Sequence, residues 1–208
     1  MTKFACFGLT LFGAFVFLSG THAQAGTSCK NVFDPRFPGL QQCVASVDVD
    51  HLEANPPDPQ KMSLWCWAAS LSVIYTASGH PISQESIVIQ NFGKPENATG
   101  GDFLTFSGRL NRVYTDDDGK EFRSVATGIA TTQEAADALD NDLPILYTTS
   151  HHATVQFSIT YQVAPNGPVA FKGGEIWDPE PGIGNRHLSL TDVATYTAAW
   201  SIDVQDVH

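Results

Sequence analysis

The chain has 208 residues, with 22 acidic against 11 basic side chains and a formal net charge of −11. A chain this acidic is repelled by nucleic-acid phosphates and by anionic membrane surfaces, which argues against either as a partner. Its length suffices for one domain with a sizeable core.

Residues 1–25 read as a leader. Lys3 supplies the positive start, Phe4 to Leu18 is apolar apart from small residues and one threonine, and Ala23-Gln24-Ala25 is an A-x-A cleavage site. The run is short for a membrane anchor and lacks a basic stop-transfer flank. No later stretch is long and apolar enough to span a bilayer. The expectation is a secreted or periplasmic protein, free of the membrane once the signal peptide is cleaved after Ala25. Cys6 departs with the leader, leaving Cys29, Cys43 and Cys66. In an oxidising compartment a Cys29–Cys43 disulfide closing the loop 30–42 is predicted. Cys66 is then the odd thiol, either an intermolecular partner or a reactive group.

Residues 26–59 are rich in Pro, Asp and Asn, with apolar alternation at Val44, Val47 and Val49. They read as an extended N-terminal segment with one edge strand, or as a pro-region covering a site. The run Asn55-Pro56-Pro57-Asp58-Pro59 is stiff and not helical, and delivers Gln60 to the next element. Residues 60–208 form the expected main domain. Helical spacing covers Leu64–Ser78, with Ser63 as N-cap and Gly79 and Pro81 as the stop. A short helix over Ser83–Asn91 follows. Asn97-Ala98-Thr99 is a glycosylation sequon in a eukaryotic host, and Asp102–Arg112 is a third helix.

Tyr114–Lys120 is a turn whose Asp116-Asp117-Asp118 run lacks the ligand spacing of an EF-hand and reads as a solvated hairpin tip. Thr131-x-x-Glu134 is a capping box opening a helix over Thr132–Asn141. From Ile145 the period becomes that of strands: Ile145–Thr149, His152–Val163, then Val169–Phe171 and Glu175–Asp178 with a bulge at Gly173-Gly174. Pro179–Asn185 reads as a loop, Thr191–Tyr196 as a short helix or turn, and Ala198–Val204 as the last strand. Helices first and strands after predict an α+β fold, with an N-terminal helical half packed on a C-terminal antiparallel β-sheet.

The chemistry centres on Cys66. A thiol attacks as thiolate, and the first turn of a helix favours the anion through unpaired N–H groups and a partial positive charge. Such a nucleophile needs a base and a group to orient that base. The candidate bases are His51, His80, His151, His152, His187 and His208. His152 is preferred by register, because strand alternation puts it with Thr154, Gln156 and Ser158 on one face, while the neighbouring His151 points the other way. Asp178, at a strand end before Pro179, is the candidate orienter. Gln60 would join the Cys66 N–H in an oxyanion hole. No His-x3-His or Cys-x2-Cys pair suggests zinc, and no cofactor is called for.

Gln60-x5-Cys66 with Trp65-Cys66-Trp67-Ala68-Ala69-Ser70 resembles the nucleophile motif of papain-like cysteine peptidases, closest to the bacterial AvrRpt2/C39-like papain-fold group. His152-Ala153-Thr154-Val155 is similar to the histidine strand of that family, and Trp177-Asp178-Pro179 to the Asp-Pro that follows it. The strand departs from the family in continuing as Gln156-Phe157-Ser158. The resemblance implies a papain-like fold and a peptide or protein substrate. By it Cys66 is the nucleophile, His152 base and acid, Asp178 its orienter and Gln60 the oxyanion donor. The same acyl-enzyme would serve an acyltransferase or deamidase. A shell that binds without turnover is the rival from another class.

Overall fold

The computed structural model describes residues 25–50, 52, 55–165, 167 and 169–207. The leader, apart from its last residue, and the histidines at 51 and 208 lie outside them. Nine strands and five helices occur among the described residues. In chain order they are β1 (Gly26–Asn31), β2 (Gln41–Ser46), α1 (Cys66–Ala77), α2 (Gln84–Phe92), α3 (Phe103–Leu110), β3 (Arg112–Thr115), β4 (Glu121–Gly128) and α4 (Thr132–Asp140). Then come β5 (Ile145–Thr148), β6 (Ala153–Val163), β7 (Ala170–Asp178), β8 (Gly184–Leu188), α5 (Leu190–Val193) and β9 (Ala198–Asp206).

The expected helical half packed on a C-terminal sheet, in the papain-like arrangement, is not what the chain forms. It is mostly one antiparallel sheet, a nine-stranded half-barrel carrying small helices. The strands run β1-β2-β6-β5-β9-β4-β3, with β7 on β6 and β8 on β7. The sheet therefore draws on both ends of the chain and its middle. β5 pairs with Ala153–Gln156 of β6 and β2 with Ser158–Val163, while β7 runs along Val155–Gln162. Because β7 overlaps both partners, β2 and β5 share one edge of β6 end to end.

Each face of the sheet has its own core. Leu146, Val155, Trp200 and Ile202 pack with Trp67, Leu71, Ile74, Tyr75, Phe106 and Leu110 of α1 and α3. On the opposite face Ile145, Tyr147 and Ile159 meet Ala135, Ala136 and Leu139 of α4, with Cys43, Ala45 and Val47 from β2 and the residue after it. Leu146 against Ile145 and Tyr147 is the strand alternation that divides the two cores. The segment 26–59 thus supplies buried sheet residues. Cys29 and Cys43 face each other across β1 and β2 and are joined by a disulfide. A disulfide of this kind places the chain in an oxidising environment, extracellular or periplasmic.

One feature of the sequence hid a strand, and another hid how deeply a strand is buried. In β4 the inward position after Phe122 is Ser124, both fully buried. Tyr75 donates to Ser124 Oγ at 3.0 Å and Ser124 donates to the Leu110 carbonyl at 2.8 Å, so a polar residue is satisfied where a hydrophobic one would have shown the alternation. In β6 both faces are covered: Thr154 and Gln156 are as buried as Ala153 and Val155, so the face that reads as polar is not open to solvent. The irregularity read at Gly173-Gly174 is a register shift between Thr160↔Gly173 and Tyr161↔Phe171 within one continuous strand, β7. The capping box at Thr131 and Glu134 forms with both of its hydrogen bonds.

The acidic tip at 116–118 is more deeply used than a solvated turn. Asp116 accepts from the Lys120 and Asp118 N–H groups and meets His80 Nδ1 at 3.2 Å. Burial pushes its carboxyl up, but these hydrogen bonds win and leave it below the usual range. Asp117 accepts from the Ser83 N–H and Ser86 Oγ at the start of α2.

Candidate active site

Cys66 is the first residue of α1. As such its N–H has no acceptor within the helix. The N-cap is Trp65 without a side-chain cap bond, not Ser63. Ser63 Oγ instead accepts from Asn97 Nδ2 at 3.0 Å. The two tryptophans that bracket the cysteine have a geometric purpose. Trp65 Nε1 donates to the Glu96 carbonyl at 2.9 Å and Trp67 Nε1 to the Ala98 carbonyl at 3.0 Å. Asn97, between those carbonyls, accepts from the Leu64 N–H at 3.0 Å. The loop 96–98 is thereby fastened to both sides of the cysteine, and it leads into Gly100. The Cys66 thiol is unpaired among the described cysteines and half-buried.

His152 ends a turn in which the His151 and His152 N–H groups both donate to Thr149 Oγ1, at 3.2 and 3.0 Å. Pairing of Val155 with Trp177 brings the end of β7 alongside the start of β6. Across that junction His152 Nε2 lies 2.7 Å from Asp178 Oδ1. Nδ1 is left as the ring nitrogen free to face the thiol, and Cys66 lines the same cavity, where its sulfur acts on the ring. The Asp178 bond, then the Cys66 sulfur, hold the imidazole protonated against the opposing effect of burial, raising its pKa to about 10. Asp178 is 4 % exposed. Burial pushes its carboxyl up, but His152 and the Glu180 N–H at 3.0 Å outweigh it, and the net shift is downward.

The remaining histidines are placed elsewhere. His151 is exposed at the cavity lip. His80 is buried beyond the far end of α1, stacked on Phe122 and flanked by Asp116 and Asp206. Cys66 opens that twelve-residue helix, so its far end lies about 16 Å away. His187 is exposed and meets Glu175.

Arg186 is a residue that sequence reasoning missed. Its Nε donates to Asp178 Oδ2 at 3.2 Å and its Nη1 to Asp192 Oδ1 at 3.0 Å. Asp192 is held in turn by Ser189 Oγ and N–H, at 2.6 and 2.8 Å. The signal was the alternation of buried Leu188 with half-buried Arg186 along β8, inside a stretch whose Pro and Gly content reads as loop.

Cys66 and His152 share a cavity of about 410 Å³. Its lining is aromatic at Trp67, Phe103, Phe106 and Trp200 and polar along the turn 148–151. Gly100 forms part of the floor. A Cβ there would lie 2.7 Å from the Phe106 ring and 3.4 Å from Trp67.

Gln60 lies outside the lining of that cavity, in the loop preceding α1. Its N–H donates to the Pro179 carbonyl at 2.8 Å, tying it to the residue after Asp178. Its Nε2 donates to the Met62 and Ser63 carbonyls at 3.3 and 3.2 Å, and its Oε1 is buried without a partner. Among the described residues no group of three or more His, Cys, Asp and Glu is placed to hold a metal ion. No family model, curated protein or solved structure matches the chain.

Proposed function

We propose that this chain is an exported cysteine peptidase, its leader removed after Ala25, that cleaves peptide bonds with Cys66, His152 and Asp178. The observation that carries this reading is one imidazole held between a buried carboxylate and an unpaired thiol at a helix start. The order Gln60, Cys66, His152, Asp178 supports kinship in chemistry with the papain-like peptidases. The two-part architecture of that family is not carried over.

Cys66 Sγ, as thiolate, attacks the substrate carbonyl carbon, and the carbonyl oxygen takes the negative charge. The Cys66 N–H receives that oxyanion, joined by the Gln60 amide as it turns from the Met62 and Ser63 carbonyls. Those two bonds are long, so an anion competes well for the same hydrogens. His152, protonated, gives its Nδ1 proton to the leaving amine as the C–N bond breaks. In the resulting thioester the sulfur bears no charge, so one of the two contacts that held the ring protonated is gone. The neutral ring then takes a proton from water, whose oxygen attacks the thioester and releases acid and thiol. The aromatic lining favours a substrate with a large apolar side chain next to the scissile bond.

The test is digestion of an unfolded protein by the mature chain and by Cys66→Ala, with products mapped by mass spectrometry. New N-termini formed by the wild type alone are expected. Conversion of Gln to Glu without cleavage would replace the peptidase with a deamidase, and no product at all would leave a binding shell.

A further inference from the structure

We propose that Gln84 is a positioning residue for the oxyanion donor, clamping the segment that carries Gln60 from both sides. The inference rests on the peptidase reading above. Gln84 opens α2 behind the Ser83 N-cap and is only 2 % exposed. A buried side-chain amide must spend its hydrogen-bonding groups within the protein. Gln84 spends them on three backbone sites that flank Gln60 on both sides. Its Oε1 accepts from the Lys61 N–H at 3.0 Å, and its Nε2 donates to the Asp58 carbonyl at 3.1 Å and the Pro59 carbonyl at 2.9 Å.

The segment needs such a clamp. Pro56, Pro57 and Pro59 have no N–H, so the run offers mainly carbonyls for anchorage. A side chain that donates twice and accepts once fits that supply, and an Asp, Lys or Ser in its place does not. With residues 58, 59 and 61 fixed from α2 and the Gln60 N–H fixed to Pro179, the Gln60 side chain leaves the backbone at a set point beside the Cys66 helix. An oxyanion donor misplaced by about 1 Å loses much of its effect, because the donor must meet the oxygen as charge develops on it.

Gln84→Met keeps the volume and removes all three bonds. Three measurements on the mature chain decide the matter: hydrolysis of a peptide amide, alkylation of Cys66 by iodoacetamide, and amide exchange of the 58–63 segment. Alkylation is a displacement at carbon that forms no oxyanion. In Gln84→Met, kcat for the amide should fall about 10- to 100-fold with KM changed less than about threefold. Alkylation should stay within about twofold and exchange at Lys61 should rise. The double variant Gln60→Ala/Gln84→Met should be no slower than Gln60→Ala alone. Unchanged kcat, additive losses in the double variant, equally slowed alkylation or unchanged exchange at Lys61 would each overturn the proposal. Failure of the peptidase reading is seen separately: wild-type protein would alkylate at Cys66 and hydrolyse no amide, while exchange at Lys61 still reports whether Gln84 holds the segment.

Discussion

The imidazole of His152 and the carboxylate of Asp178 meet at 2.7 Å across the junction of β6 and β7, and the carboxylate is fixed on its other oxygen by Arg186. The pair has a defined pH range. His152 has a folded pKa raised from 6.5 to about 10, so its contribution to stability is complete below 6.5 and is lost as pH rises through about 10. Asp178 is lowered from 3.8, so its contribution is present above that value and is lost as pH falls through its folded pKa. The difference in melting temperature between wild type and Asp178→Asn should therefore be widest between pH 3.8 and 6.5 and close towards pH 10. Thermal unfolding over a pH series measures it. A difference that grows from pH 7 to 10 would refute the pairing.

Arg186 bridges two carboxylates with two different nitrogens, a geometry that a lysine does not reproduce. Arg186→Gln and Arg186→Lys should both lower kcat, about tenfold, with KM nearly unchanged. Steady-state kinetics on one peptide substrate suffices. Full activity in the lysine variant would show that charge alone, and not the bridge, is needed.

The floor of the cavity is set by a missing side chain. Gly100→Ala puts a methyl group against Phe106 and Trp67, and the variant should discriminate against large apolar side chains by raising their KM more than that of small ones. The ratio of kcat/KM for a phenylalanine-bearing and an alanine-bearing peptide reads this directly. An unchanged ratio would place substrate recognition outside this cavity.

Trp67→Phe keeps an aromatic ring but trims the buried indole and loses the N–H that holds the Ala98 carbonyl. A cost of about 1–2 kcal/mol is expected in urea unfolding, with faster amide exchange in the loop 96–101. Exchange confined to another segment would deny the tryptophan this role.

How much of this was legible in sequence differs between site and fold. The order of Cys66, His152 and Asp178, the odd thiol and the disulfide all follow from residue type and spacing, which are local properties. Strand pairing is not local. β2 was visible only through Val44, which faces outward, and Val47, just past its end, because its inward positions are Cys43 and Ala45, small residues that leave little hydrophobic signal. β4 was hidden by Ser124, and β8 by the Gly and Pro around Arg186. Without β3 and β4, the stretch 64–141 reads as helices joined by turns and loops. The pairing of β4 with β9, which closes the sheet between the middle and the end of the chain, leaves no local mark. Asn97 reads as a sequon in sequence, yet its amide is occupied with Leu64 and Ser63.

The most direct measurement is the rate of iodoacetamide modification at Cys66 across pH in wild type and in His152→Ala, with the adduct mapped by mass spectrometry. Selective labelling of Cys66, at least about tenfold faster than a free thiol near neutral pH and slowed to the free-thiol rate by His152→Ala, is expected. Equal rates in the two proteins would contradict an imidazole and a thiol acting as one unit.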